Sequence, residues 1–401
     1  MNILQISNKG TYPRDGGNLA ILNLAEGYLN QGHKVTLLSM ITHKHYNRPE
    51  EIENYRKNNL EIIGIRINTR ISLVKLLLNL LLSNKPYNLV RFISEKFSKQ
   101  IIQLLTTNTF DFIQLEGLYT LPYLELIRKY HHGKIVYRSH NIEHNIWQEN
   151  AQSSKSISKK LYYNILARRL KRFEIQNINT YDILLPISNI DANYYHQLNN
   201  NKPCFVAPFG IKPDNYNPKI TNKPNQESGS TILFIGSLDW IPNQDGLLWF
   251  IRNCLPIIIN EIEDARLLVA GRNAPKWLVK KLTNNKIQFL GNVENALEFI
   301  RQDGIFIVPL FAGSGMRVKI IEAMAMKKAI VSTSKGIEGI QYNENEILIA
   351  NTPEKFAASV LQLLKDKELQ NNFGKLAQNR IKTDYDIDTI AISVLNFIIH
   401  N

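Results

Sequence analysis

Cysteine is nearly absent from this 401-residue chain, which has only Cys204 and Cys254. Two thiols so far apart make neither a disulfide framework nor a thiolate metal site, which points to a reducing, cytoplasmic compartment. Also missing is any run of roughly 18–20 apolar residues, so no segment reads as bilayer-spanning. The nearest, ISLVKLLLNLLLS at 71–83, is too short and is broken by Lys75 and Asn79. Its pattern favours a buried or capping helix over an interfacial one. The opening MNILQISNKG has no basic residue ahead of its short apolar run. It reads as a first strand and not as a signal peptide. Asp-x-Asp spacing occurs only in the C-terminal region, around Asp386-Ile-Asp388, so a metal-bridged diphosphate site after an internal strand is not expected. Acid is scarce too, and unevenly: residues 1–210 hold 26 Lys+Arg against 15 Asp+Glu, and residues 211–401 hold 22 against 20. The net charge of +13 therefore resides mostly in the first half. Part of it clusters without an intervening acid in Lys155, Lys159, Lys160, Arg168, Arg169, Lys171 and Arg172. Two readings of that cluster stay open: a peripheral contact with an anionic membrane, or a solvated basic helix.

What is present is a repeated alternation of strand and helix periods. In the first half the strands are NILQIS (2–7), HKVTLLSM (33–40), LEIIGIRI (60–67), FDFIQLEG (110–117), GKIVYRSH (133–140) and YDILLPIS (181–188). Helical spacing separates several of them, as in NLAILNLAEGYLNQG (18–32). Residues 212–230, rich in Pro, Asn and Ser, form a linker. The alternation then restarts with TILFIGSL (231–238), ARLLVAG (265–271), KIQFLGNV (286–293), GIFIVPL (304–310) and AIVS (329–332), and GLLWFIRNCLPIIIN has helical spacing. This predicts an α/β protein of two doubly wound Rossmann-like domains, at 1–211 and 231–385. A terminal amphipathic helix follows at 386–401.

The most informative stretch is FAGSGMRVKIIEAMAMKKAIVS, 311–332. A glycine loop (Gly313, Gly315) follows an apolar strand and opens a helix that carries Arg317, Lys319 and Glu322. A helix N-terminus offers unpaired N–H groups and a positive dipole end, and two cations beside it oppose that dipole unless an anion is bound. A nucleotide diphosphate with an attached sugar uses all of these features. The stretch resembles the C-terminal signature of retaining glycosyltransferases of family 4 (group 1 glycosyltransferases), which have the GT-B fold. Glu322 matches the second glutamate of the family's Glu-x7-Glu, and Ser314 stands where the first is found.

That resemblance implies two domains facing a cleft, the first binding acceptor and the second donor, with the last helix crossing back to the first. By the same resemblance, Glu322 holds the ribose hydroxyls, and the loop Gly313, Ser314, Gly315 and Met316 presents backbone amides to the donor. FIGSLDWIPNQDGL (234–247) occupies the place of a Gly-Arg and a following Lys that grip the donor phosphates. Gly236 is present, but Ser237 replaces the arginine and Asn243 stands near the lysine position. Arg317 and Lys319 are the substitutes. Arg272, and the turn Gly291, Asn292 and Val293, match segments that flank phosphate and base. In the first half Gly16 and Gly17 match the family's Gly-Gly loop, and His140 the histidine that contacts the transferred sugar. Asn141 and Glu143 are candidates for acceptor hydroxyls. Catalysis is assigned to His140, Arg317 and Lys319.

His140-Asn-Ile-Glu143-His144 also spells H-x-x-E-H, a zinc-hydrolase pattern that needs both histidines on one helix face. His140 closes a β-rich run, which ranks this reading below the first. The resemblance implies transfer of a sugar from a nucleotide sugar to a lipid-linked or polysaccharide acceptor of the cell envelope, with retention and without metal or cofactor. The alternatives are a nucleotide-sugar epimerase of the same fold and a basic nucleic-acid-binding protein. No recognisable nucleic-acid motif supports the latter.

Overall fold

A computed structural model of the chain describes residues 1–13, 15–48, 52–53, 59–154, 156–216, 230–313 and 315–401. Ser314, Lys155 and most of the expected linker (217–229) lie outside the described residues. The chain divides into two compact units, Met1–Ile211 with Ile387–Asn401, and Lys212–Asp386.

In the first unit six strands, β1 (Asn2–Ser7), β2 (Lys34–Ile41), β3 (Leu60–Arg66), β4 (Phe112–Glu116), β5 (Lys134–Ser139) and β6 (Ile183–Pro186), form one sheet in the order β3-β2-β1-β4-β5-β6. Every neighbouring pair is parallel. Side chains alternate across a strand, and here both faces are apolar because helices cover both. Ile3, Val35, Leu37, Phe112 and Val136 enter one core. Leu4, Ile6, Leu38, Ile113, Leu115 and Ile135 enter the other. Each such side chain fully buried adds about 1.5–3 kcal/mol. The Ile3 face is covered by α1 (Gly16–Asn30) and by the last helix of the chain, Ile387–His400. They pack closely at Gly27, where a Cβ would lie 2.8 Å from the Ala391 methyl.

Two more helices of this unit bear on function. The leucine-rich segment forms α2 (Leu73–Leu82), and none of its residues is buried. The expectation of a buried or capping helix is thereby corrected. Apolar residues surround the whole helix, yet the fold covers only the side carrying Leu76, Asn79 and Leu80. Of the basic cluster, Lys159, Lys160, Arg168, Arg169, Lys171 and Arg172 fall on α4 (Ile157–Asn177), which follows α3 (Glu143–Ser153).

The second unit repeats the plan with β7 (Thr231–Ile235), β8 (Arg266–Ala270), β9 (Ile287–Gly291), β10 (Ile305–Val308), β11 (Ile330–Ser332) and β12 (Ile347–Ile349), ordered β12-β11-β10-β7-β8-β9 and again parallel. The edge strand β12 has only three residues, too few to show a period in the sequence. The helical run after β7 begins at Ile241 as α5 (Ile241–Trp249) and widens into a π turn over Phe250–Cys254. Pro256, which cannot donate a backbone hydrogen bond, stands just after that turn and accounts for it. In both sheets the order reverses beside the first strand, between β1 and β4 and between β10 and β7. Open α/β sheets receive ligands at the carboxyl ends of strands flanking such a reversal.

Candidate active site

At the β10/β7 reversal the loop after β10 leads into α6 (Val318–Ala325). Gly313 and Gly315 both have positive φ (97° and 83°), which a side chain disfavours. A Cβ on Gly313 would also collide with the Trp240 ring. The loop is thus laid against the one that follows β7, and Arg317 at the N-cap of α6 sits over the same indole, 5.2 Å from its centroid. The Arg317 Nη1 donates to Gly315 O at 2.7 Å, which ties the glycine loop to the helix start.

Lys319 reaches furthest across this junction. Its Nζ donates to Ile235 O, the last residue of β7, at 2.9 Å, and lies 3.4 Å from Asn243 Oδ1. Both partners are neutral oxygens. Burial pulls its pKa down to about 7, and Arg317, the nearby charge acting on it, pushes the same way. A cation so placed gains from an arriving anion what it lost in hydration. The side chain therefore ends beside Asn243. Gly236 permits this packing, since a Cβ there would lie 2.7 Å from Asn243 Nδ2. On the same helix Glu322 is partly buried, and burial raises its pKa to about 7.

Ser237 and Arg272 also come together: Arg272 Nε donates to Ser237 Oγ at 3.1 Å, and Ser237 Oγ donates to Asp239 at 2.6 Å. Gly236 N bonds to Ala270 O, and Gly271 N to Gly291 O at 2.8 Å, so the ends of β7, β8 and β9 form one edge. Gly291 closes β9 with φ of 68°, Asn292 is exposed, and Val293 and Met316 are partly buried.

The first unit's corresponding edge is built differently. His140 follows β5, and its Nε2 lies 2.6 Å from Glu116 Oε2 at the end of β4. A carboxylate only accepts, so Nε2–H donates and Nδ1 of the neutral ring keeps its lone pair. Burial lowers the His140 pKa, against the pull of Glu116. Glu116 is fully buried. Burial works to raise its pKa, yet Arg138 beside it, with the His140 and Gln114 hydrogen bonds, holds it below the ordinary value. Arg138 Nη1 is 3.8 Å from Glu116 Oε2, and Gln5 Nε2 donates to Glu116 Oε1 at 3.4 Å. Gly16 and Gly17 open α1, and Asp15 caps it by accepting from Asn18 N at 2.9 Å. Lys9 Nζ (3.2 Å) and His45 Nε2 (3.1 Å) hold the same carboxylate. Burial would raise the Asp15 pKa, but His45 and Lys9 carry it well below the usual range. A Cβ on Gly17 would lie 2.5 Å from Lys9 Nζ, so that lysine crosses the helix start directly over this glycine.

Asn141 is partly buried, and Ser139 Oγ donates to its carbonyl. Glu143 begins α3 and accepts from Tyr119 OH at 3.1 Å. Burial, with Glu174 adding repulsion, raises the Glu143 pKa to about 7. His144 is turned elsewhere: Nδ1 meets Glu174, and Nε2 lies 2.6 Å from Tyr194 OH. Since α3 starts only at Glu143, His140 and His144 do not share a helix face, and the H-x-x-E-H geometry is not formed. Sequence reasoning missed Lys9, Asp15, His45 and Glu116. An aspartate directly before Gly-Gly is an N-cap signature, and an acid ending an apolar strand was a visible anomaly.

Residues 229–366 match the family model described as glycosyl transferases group 1. An uncharacterised 44.6 kDa protein in the cps region of Klebsiella pneumoniae is 27% identical, covering 98% of both chains. Among solved structures, HepE of Anabaena in complex with UDP and glucose has a TM-score of 0.70 at 13% identity over 100% of each chain. Sucrose-phosphate synthase of Thermosynechococcus elongatus has a TM-score of 0.72 at 15% identity, over 100% of this chain and 98% of its own. Both establish the two-unit fold described above.

Proposed function

We propose that this chain, a group 1 glycosyltransferase of the GT-B fold, moves a sugar from a nucleotide-diphosphate donor to a lipid-linked or polysaccharide acceptor of the cell envelope. The observation that carries the donor reading is Lys319, a half-buried cation whose polar partners are a carbonyl and an amide oxygen. Arg317 and the amides of the glycine loop stand beside it at the start of α6. Structural neighbours solved with UDP, or with UDP and glucose, agree with a nucleotide donor. The relative in a cps region agrees with a place in surface-glycan assembly.

In this reading the second unit holds the donor. Lys319 and Arg317 take the diphosphate, and Glu322 accepts from the ribose hydroxyls. Ser237, Arg272 and the Gly291–Val293 turn flank phosphate and base. The first unit holds the acceptor, with Asn141 and Glu143 toward its hydroxyls and the His140 Nδ1 lone pair accepting from the transferred sugar. The bond from the anomeric carbon to the phosphate oxygen breaks, and one from that carbon to the acceptor oxygen forms on the same face, with retention. The acceptor's proton passes to the departing phosphate oxygen. The two cations stabilise charge on the leaving group where it develops, which leaves no role that requires a metal.

The test is a panel of nucleotide-diphosphate sugars, followed by thermal stabilisation and calorimetry. One of them should bind, and Lys319→Ala should weaken it by about 10–100-fold, the worth of a charge-assisted hydrogen bond. Equal binding by the variant, or no binding across the panel, would sink the assignment. Nucleotide release that depends on added acceptor separates transfer from epimerisation.

A further inference from the structure

We infer that α2 and α4 together form a docking surface for an anionic lipid bilayer. This rests on the reading of a membrane-held acceptor and adds the surface that brings the enzyme to it. The first observation is the exposure of α2. Leu73 is 74% exposed, Val74 68%, Leu77 57%, Leu78 51%, Leu81 80% and Leu82 80%. At roughly 100° per residue these six fall within about half of the helix circumference. Ile71, two residues before Leu73, is exposed as well. A contiguous apolar face of this kind on a soluble chain marks a binding surface.

The second observation is what lies against it. Arg169 of α4 donates through Nη1 to Asn79 O at 3.2 Å and to Asn79 Oδ1 at 3.1 Å, and through Nη2 to Leu80 O at 2.9 Å. The apolar helix is thus bonded to the basic one. On α4, Lys159, Lys160, Arg168, Lys171 and Arg172 are exposed, together with Ile157 and Leu161. Its one acid, Glu174, is buried against His144. Leucines that need an apolar medium and cations that need anions therefore occupy adjacent helices. An interface with anionic headgroups above and acyl chains below satisfies both.

Charge decides the occupant. A second copy would set two clusters of unneutralised cations against each other, which disfavours self-association. A nucleic acid would neutralise the cations and leave the leucines in water. No helix among the described residues is long and apolar enough to cross a membrane. At ten residues α2 spans about 15 Å, half of a hydrocarbon core, so it lies in the interface instead of spanning it.

The experiment is flotation of the full chain with vesicles of phosphatidylcholine alone and of phosphatidylcholine with phosphatidylglycerol. The chain should float with the anionic vesicles and remain behind with the neutral ones. Leu77→Glu with Leu81→Glu should cut binding at least about tenfold, because two charges would enter the apolar layer. Arg168→Ser and Arg172→Ser should each cost about fivefold and flatten the salt dependence. All four positions are exposed, so melting temperature and nucleotide binding should match the parent. Nucleotide binding that survives while flotation fails overturns the docking surface alone, and the reverse result overturns only the donor reading. Flotation unchanged by the glutamates, a dimer that they dissociate, or displacement of the vesicles by RNA would each overturn the proposal.

Discussion

The two sheet reversals, alike in topology, treat charge in opposite ways. At β1/β4, among the described residues, Lys9 and His45 meet Asp15, and Arg138 and the neutral His140 meet Glu116. At β10/β7 Lys319 meets only neutral oxygens among the described residues, and Arg317 sits at the positive end of a helix. A neutralised edge can be rigid without a ligand, and suits hydroxyl-bearing molecules that bring no charge. A cation held by neutral oxygens, as Lys319 is, is unfavourable until an anion reaches it, which in the donor reading would convert electrostatic cost into selectivity for phosphate.

The comparison breaks most visibly if the neutralised edge is stripped of its acid. Glu116→Ala would leave Arg138 buried without its counter-charge, and losing one partner of a buried pair costs about 3–5 kcal/mol. A large fall in denaturant midpoint is expected. Glu116→Gln, which keeps the shape and one acceptor, should fall less. If Glu116→Ala unfolds like the parent, the edge is not held together by this pair.

A smaller effect sharpens the other side. With its pKa drawn down to about 7, Lys319 is half charged in the free protein at neutral pH. Nucleoside diphosphate binding needs the charged form, so affinity should weaken above pH 7, approaching tenfold per unit. The free protein should respond in the opposite sense. A cation whose folded pKa is depressed costs stability at and below pH 7, and that cost is relieved as pH rises toward the unfolded value near 10.5. Calorimetric titration between pH 6.5 and 9 should show the slope in the parent and lose it in Lys319→Ala. A flat parent profile would mean that Lys319 is not the phosphate's cation.

How much of this was legible depended on what each residue answers to. Strand cores at β1, β4, β7 and β10 were readable because apolar runs between turn signals have few other uses, and the doubly wound architecture followed. The glycine loop before Arg317 was readable because glycine and misplaced cations leave a local trace. That Lys319 would reach Asn243 could be supposed only by noticing a missing lysine, since the contact joins residues 76 apart. The Asp15 and Glu116 clusters escaped for the same reason, being assembled by sheet order and not by neighbours in sequence. The exposure of α2 was read wrongly, because an apolar helix has the same composition whether protein or something else covers it.

The smallest effect concerns Glu322, which shares α6 with the two cations yet has its pKa raised to about 7 by burial. Neither cation acts as its counter-charge, so the carboxylate is as uncompensated as Lys319 but of opposite sign. A folded pKa above the unfolded 4.5 gives stability that is present below pH 4.5 and is lost as pH rises through 7. Glu322→Gln, neutral throughout, should therefore melt with the parent near pH 5 and a few degrees above it at pH 8. The same variant should bind nucleotide less well, because an amide accepts from two ribose hydroxyls more weakly than a carboxylate. A residue that costs stability at working pH and improves binding is kept for its ligand. If Glu322→Gln gained stability without losing affinity, Glu322 would be a tolerated surface acid, and the ribose would have to be held elsewhere on the second unit.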